Sequence, residues 1–369
     1  MNKEKVLFIL HLPPPVHGSS VVGSQIKDSI LISSTFNCSF VNLGTSDSID
    51  EIGKNALGKI GRYLAIVWQV LKNLIFFRPK LCYFAITVEG IGFYKDFLIV
   101  VLIKLFRKKI IYHFHNKGIS NREDKLLDNW LYRIAFKNSF VILLSPLLYP
   151  DAKKYLKSDE IFYCPNGIEP MENNLQIYRD NIPAQILFLG NMIETKGVDV
   201  LLDACKYLKQ KKIAFHCTFV GGWGNINEKQ FSGKVTQNDI ETEINYAGKK
   251  YGKEKDQLMN NTDIFVLPTY YYNECFPLVL LEAMRSGLPV ISTTEGGIPD
   301  IVEDGVTGFL VPKQNAEALA EKLALLIKDK NLRVTMGERG QKRYRENFTS
   351  KRFEQNMVEI LKTCMSNNN

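Results

Sequence analysis

The sequence is poor in patterned cysteine. Its seven cysteines, Cys38, Cys82, Cys164, Cys205, Cys217, Cys275 and Cys364, are odd in number, widely separated and never in a CxxC pair. That argues against a disulfide framework or a cysteine zinc site and fits a reducing cytosol. No DxD motif and no His/Cys cluster of ligand spacing occurs, so no metal is expected. No stretch of about 18 uninterrupted apolar residues exists, so no membrane-spanning helix is expected. The opening run, Met1 to Leu12, is followed by Pro13-Pro14-Pro15 and a glycine loop rather than small residues at a cleavage site. It reads as a buried first strand, not a signal peptide. No GxGxxG follows that strand, which weakens the case for a dinucleotide enzyme.

What is present points to a globular enzyme. At 369 residues the chain exceeds what one hydrophobic core sustains, so two domains are expected. The formal net charge of +8 fits an anionic membrane surface or a phosphorylated small molecule. Lys and Arg are spread along the chain without clustered stacking aromatics, so no nucleic-acid partner is expected.

Short apolar runs alternate with helical spacing. Strands are expected at Val6–Leu10, Cys38–Asn42, Leu81–Ile86, Lys109–His113, Phe140–Leu144 and Ile161–Cys164, with a helix over Ser19–Ile32. This is a Rossmann-like half. The polar segment Asn173–Asn181 reads as a linker. A second series follows, with strands at Gln185–Leu189, Ala214–Val220, Glu243–Ala247, Ile264–Leu267 and Pro289–Ser292. Helices are expected over Val198–Lys209, Asp256–Asn261, Leu278–Ser286 and Ala316–Lys328. From Arg339 to Cys364 two helices break near Phe348-Thr349-Ser350, and the last residues, Ser366–Asn369, should fray. The expected division is 1–172, 182–345 and a terminal helix and tail, 346–369.

The stretch NECFPLVLLEAMRSG, Asn273 to Gly287, carries the most chemistry. Pro277 suits the first position of a helix that Gly287 ends. The first-turn amides of Leu278 and Val279 then lack intrahelical partners and face an anion with the positive end of the dipole. Glu274 precedes the helix. Glu282 falls at its sixth position, among Leu280, Leu281, Ala283 and Met284, where an unpaired charge is costly. Carboxylates beside a diphosphate must turn to neutral hydroxyls, which places Glu274 on a sugar and Glu282 on a ribose. Lys196, at another helix start, can reach a diphosphate as a point charge.

The E-x7-E spacing resembles the retaining GT-B glycosyltransferases of family 4, the "glycosyl transferases group 1". The resemblance extends through LGNMIETKGVDVLLDA from Leu189, the turn Gly221-Gly222, and Thr262 to Pro312. It implies two Rossmann-like domains facing each other across a cleft, with the C-terminal helix crossing back to the first. It implies transfer of a sugar from a nucleotide diphosphate donor with retained configuration and no metal or other cofactor. Lys196 would stabilise the leaving diphosphate. The arginine expected five residues earlier is Asn191 here, which puts more of that work on the helix amides. Gly18, in PPPVHGSS, would approach the donor phosphates, with His17 beside it. His115 would lie near the sugar, two residues beyond His113. Gly190, Asn191, Phe276, Leu278, Val279 and Glu282 would complete the donor site, and Tyr246–Tyr251 would neighbour the base. Asn166-Gly167-Ile168 and Glu295-Gly296-Gly297 resemble family turns, read here as backbone features.

The acceptor would be a saccharide or lipid-linked saccharide, as in bacterial surface polysaccharide synthesis. Leu57–Phe77 and Phe93–Lys109 are apolar with basic punctuation, and either lie on an anionic bilayer or cover the first sheet. A cytoplasmic protein, peripheral on the inner membrane face, is expected. A nucleotide-sugar epimerase or a non-catalytic nucleotide-sugar binder of the same fold, a glycoside hydrolase and an NAD enzyme remain open.

Overall fold

The computed structural model describes residues 3–44, 56–171 and 181–367. The chain forms two compact units: Met1–Asn166 with Ser350–Asn369, and Gly167–Thr349. The linker expected at Asn173–Asn181 lies outside the described residues apart from Asn181, whose carboxamide donates to Asp263 Oδ2 at 2.9 Å.

In the first unit six strands run parallel: β1 (Lys5–Leu10), β2 (Asn37–Asn42), β3 (Leu81–Phe84), β4 (Lys109–Phe114), β5 (Phe140–Leu143) and β6 (Ile161–Tyr163). Their order is β2-β1-β3-β4-β5-β6. Val6 to Leu10 are all buried because helices cover both faces, so these strands read as continuous apolar runs instead of alternating ones. The helices are α1 (Gly18–Asp28), α2 (Ile30–Thr35), α3 (Ala56–Lys72), α4 (Gly90–Leu105), α5 (Leu126–Phe136) and the short α6 (Tyr149–Ala152). A single helix over Ser19–Ile32 is not what forms. Ser29 takes an extended backbone, and its hydroxyl accepts from the Ile32 amide to start α2.

The helix spanning Ile60–Phe77, α3 with the π turn Asn73–Phe77, is apolar and long enough to cross a membrane by length and composition. Arg62 and Lys72 interrupt its apolar run, so scanning for an unbroken run misses it. Its Ile66, Val70 and Leu74 side chains are buried in the core over the first sheet.

In the second unit β7 (Ala184–Leu189), β8 (Phe215–Val220), β9 (Ile244–Tyr246), β10 (Ile264–Leu267), β11 (Val290–Thr293) and β12 (Gly308–Val311) form a parallel sheet of order β12-β11-β10-β7-β8-β9. Strand order reverses between β7 and β10, and crevices outside the carboxyl ends of such strands are where ligands bind in open α/β sheets. The helices are α7 (Val198–Gln210), α8 (Glu228–Gln237), α9 (Gly252–Asn260), α10 (Leu278–Arg285), α11 (Ile298–Ile301), α12 (Ala316–Lys328) and α13 (Lys330–Asn347). Sequence reasoning missed β12, which has only four residues, and α8, which buries only Phe231 and Val235.

The last helix, α14 (Ser350–Ser366), belongs to the first unit, where it packs on α2, β3 and β4. Ser29 Oγ donates to Glu354 Oε2 at 2.7 Å, and Lys109 Nζ donates to the Cys364 and Met365 carbonyls at 3.3 and 3.2 Å. Cations at a helix C-terminus satisfy carbonyls that have no helical partner. Leu361 is fully buried in α14. Leu361→Ala should destabilise the first unit by about 3 kcal/mol, the usual scale for a core leucine truncation, as a lowered urea midpoint in equilibrium unfolding.

Candidate functional site

The loops leaving β7 and β10 meet where the second sheet reverses its strand order. After β7 the chain makes a 3₁₀ turn, Glu194–Lys196, and Gly197 starts α7 at φ +86°. A Cβ on Gly197 would sit 2.2 Å from the Pro268 carbonyl oxygen, so only glycine permits this approach. The Tyr270 amide donates to the Thr195 carbonyl at 2.8 Å and joins the two loops.

That junction brings Lys196 to Glu274. The ammonium donates to Glu274 Oε2 at 2.5 Å and lies 5.0 Å from the centre of the Tyr271 ring. Glu274 is buried. A second close approach fixes it: a Cβ on Gly296 would fall 2.0 Å from the Glu274 carbonyl oxygen, and the Gly297 amide donates to the Cys275 carbonyl at 2.7 Å. The turn Glu295-Gly296-Gly297 thus holds the loop that carries Glu274. Glu295 is itself buried, and its Oε2 accepts from Lys313 Nζ at 2.6 Å.

Pro277 is the residue before α10, not its first: its ψ is 118°, an extended value. The helix begins at Leu278, so Glu282 is its fifth residue, where the sequence count made it the sixth. Leu278 and Val279, both half-buried, supply the first amides of the helix. Glu282 Oε1 accepts from Lys255 Nζ at 2.6 Å, while its Oε2 is buried and has no hydrogen-bond partner. A buried carboxylate oxygen without a donor is costly, and its natural complement is a hydroxyl arriving from outside. Lys255, on α9, carries no sequence signal for this role, because only the tertiary packing of α9 beside α10 sets it there.

Gly190 donates to the Val220 carbonyl at 2.9 Å, and a Cβ on Gly221 would lie 1.9 Å from the Gly190 carbonyl oxygen. The exposed Asn191 turns its carboxamide oxygen to the Gly222 amide at 3.4 Å. Phe276 is buried with its ring edge-on to Phe348, centroids 5.8 Å apart. Within the Tyr246–Tyr251 stretch, Tyr246 stacks on Trp223 at 4.1 Å, and its hydroxyl donates to the Gly221 carbonyl at 2.8 Å. Trp223 went unnoticed in the sequence, where it is a lone aromatic in a glycine turn.

In the first unit the sheet reverses between β1 and β3, and histidines gather at the carboxyl ends of its strands. His17 caps α1: its Nδ1 accepts from the Ser20 amide at 3.3 Å, and Ser20 Oγ accepts from the His17 amide at 2.9 Å. His17 and Ser20 thus form a capping box, which gives His17 a structural task beside the glycine loop. Gly18 opens α1 with no atom within 4 Å of a Cβ placed on it. His113 is fully buried, 2.7 Å from the Tyr83 hydroxyl through Nδ1, and His115 follows the end of β4 with its ring 4.2 Å from that of His113. Burial first, then the neighbouring His11 and His17, pushes the His115 imidazole down to about 3. Burial, His17 and Lys95 push His11, a residue not singled out from the sequence, down to about 4. Both are neutral at pH 7, each able to donate one hydrogen bond and accept another.

Residues 173–343 match the glycosyl transferases group 1 family model. Among curated relatives, the amylovoran biosynthesis glycosyltransferase AmsK of Erwinia amylovora is 32% identical over 246 residues, 64% of this chain and 57% of that protein. A putative colanic acid biosynthesis glycosyltransferase, WcaL of Salmonella typhimurium, is 27% identical over 271 residues, 70% of this chain and 65% of that protein. The alignments thus span under two thirds of the length of these relatives. The crystal structure of Anabaena Alr3699/HepE in complex with UDP superposes with a TM-score of 0.75 at 17% identity, over 98% of this chain and 100% of that one. The fold is GT-B, and over its second unit the sequence is similar to the group 1 family model.

The lowered histidines make the first unit acid-sensitive. The folded pKa values lie below the unfolded one, so the unfolded chain takes up protons first as pH falls. The stability these neutral imidazoles represent is full above about 6.5 and lost between there and about 4 to 3. Melting temperature measured across that range should fall, and His115→Asn should flatten the slope.

Proposed function

We propose that this protein is a retaining glycosyltransferase of family 4 (EC 2.4 class) that uses a nucleotide diphosphate sugar without a metal or other cofactor. One observation carries the reading. Lys196 and Glu274 follow the two strands between which the second sheet reverses, and they meet beside the amino end of α10. A cation and free amides suit a diphosphate, and a carboxylate suits a sugar hydroxyl.

In this mechanism the donor's diphosphate lies on the Leu278 and Val279 amides and draws Lys196 to itself. Charge develops on the diphosphate as the bond to the anomeric carbon breaks. Fixed amides, the helix dipole and the lysine meet that charge without reorganising. Glu274, released from Lys196, accepts from the sugar's hydroxyls. Glu282 accepts a ribose hydroxyl through Oε2 while Lys255 holds Oε1. Asn191 and Gly190 contribute carboxamide and main chain in place of a second cation, and the buried Phe276 shapes the loop between Glu274 and α10. In the first unit, neutral His115 is assigned to the sugar and the open helix start at Gly18 to the phosphates. The acceptor attacks from the leaving-group face and passes its proton to a donor phosphate oxygen, so neither glutamate serves as acid or base.

The acceptor proposed is a saccharide or lipid-linked saccharide at the cytoplasmic membrane face, in surface polysaccharide synthesis. The named roles of the relatives, in amylovoran and colanic acid biosynthesis, support that setting.

Lys196→Ala and Glu274→Ala should each lower kcat by at least ~100-fold, the scale for one lost preorganised electrostatic contact, with unchanged circular dichroism. Full activity in either purified variant would refute the site. A thermal-shift screen against UDP-, GDP- and ADP-sugars should single out one base, since a donor at a hundred times its Kd adds about 2.7 kcal/mol of stability. Conversion of that donor with no acceptor present would identify an epimerase instead.

A further inference from the structure

We propose that the first unit docks in the plane of an anionic bilayer through the outer faces of α3 and α4, without spanning it. The two helices lie side by side on the first sheet, and the Tyr63 hydroxyl of α3 donates to the Lys95 carbonyl of α4. Each is apolar on two opposite faces. In α3 and its π turn, Ile66, Val70 and Leu74 face the core, while Ile60, Leu64, Trp68, Ile75 and Phe76 face outward. In α4, Phe93, Ile99, Val100 and Ile103 face the core, while Ile91, Tyr94, Leu98 and Leu105 face outward. The outward residues are widely open: Trp68 is 60% exposed, Phe76 75%, Ile91 78% and Leu105 71%. A helix apolar all round belongs in a core or against lipid, and here one face of each is already in the core. That buried face rules out a spanning pose, because a spanning helix would have to leave the sheet it covers.

Charge selects the occupant. From Lys59 to Lys109 the sequence holds ten Lys and Arg against two acids, Glu89 and Asp96. The net +8 of this stretch equals that of the entire chain, so the remaining residues balance. Asp96 is buried and accepts from the Thr87 amide at 2.8 Å, which removes it from the surface. Among the described residues, Lys72, Arg78, Arg107 and Lys108 have no carboxylate partner. Arg78 follows Phe76, and Arg107 and Lys108 follow Leu105, so cations flank the apolar stripes where phospholipid headgroups would meet them. A second copy docked by the same face would set +8 against +8. An apolar, basic surface with a tryptophan at its middle fits the interface of an anionic membrane.

The amino ends of α4 and α5 extend this surface toward the carboxyl edge of the first sheet, where the histidines lie. Tyr94 donates to Asp128 Oδ1 of α5 at 2.5 Å, and Leu126, Leu127 and Trp130 are exposed beside it. A membrane on this face therefore runs past the edge where an acceptor with a lipid tail would be presented. The docking itself does not rest on the glycosyl-transfer reading.

The test is flotation of the full chain with vesicles of phosphatidylcholine, with and without phosphatidylglycerol. Wild type should float with the anionic vesicles only. Raising salt from about 0.1 to about 1 M, which shortens the screening length from about 10 to about 3 Å, should release much of it. Arg78→Gln with Arg107→Gln and Lys108→Gln should weaken partitioning about a hundredfold, and Leu64→Ser with Trp68→Ser and Phe76→Ser at least ~10-fold. Apart from the half-buried Lys108, both variants change exposed positions, so their melting temperatures and any donor-induced shift should match wild type. No flotation of wild type, or flotation equal in wild type and both variants, would overturn the proposal. So would a dimer in sedimentation velocity that the serine variant abolishes while wild type ignores vesicles, which would make a second copy the occupant. A failed donor screen with intact vesicle binding would sink the enzymatic reading alone.

Discussion

The hydrogen bond from the Tyr270 amide to the Thr195 carbonyl, 2.8 Å long, ties the loop after β7 to the loop after β10. The rest of the second unit's site depends on it. The turn before it carries Lys196, and the loop after it carries Glu274. Gly197 makes that contact possible and Gly296 a second one that holds the Glu274 loop, since a side chain on either would collide with main chain, at 2.2 Å from the Pro268 and 2.0 Å from the Glu274 carbonyl oxygen. Both also hold positive φ, +86° and +54°, where other residues are strained. The site is thus set by backbone pressed on backbone, and the charged side chains are placed on a stiff base.

Around α10 three lysine–glutamate pairs share one pattern. Lys196–Glu274, Lys255–Glu282 and Lys313–Glu295 are 2.5, 2.6 and 2.6 Å long, and each joins residues from different loops or helices. Burying a carboxylate alone would be severe, so each has its cation. A pair that is partly buried and not fully satisfied, such as Glu282 with one free oxygen, can exchange partners with a ligand at modest cost. The first unit does the reverse: its histidines are kept neutral by burial, so that end of the sheet offers hydrogen bonds without charge. Cationic charge there is displaced to the outer helices, facing solvent.

Much of the fold is legible in the sequence because it is local. Parallel strands buried on both faces appear as apolar runs, and Ile264–Leu267 and Ala316–Lys328 emerge with the expected bounds. The misses are also physical. The break at Ser29 is decided by a hydroxyl cap and by Glu354, which lies 325 residues away along the chain. Strand β12 has too few residues for a pattern, and α8 buries too little to show one. Pro277 fits either side of a helix start, and its ψ, which no local signal fixes, settled the matter.

By itself the sequence determined the two α/β halves, a helix start at Pro277 to within one residue, and the candidates Lys196, Glu274 and Glu282, because these depend on residue types at short spacing. Tertiary structure alone decided which groups meet. It paired Lys196 with Glu274 across 78 residues and Glu282 with Lys255 across 27, and it left one Glu282 oxygen without a donor. It also decided that α3 and α4 keep an apolar face outside the core, since a sequence shows that a helix is apolar but not which of its faces finds a neighbour.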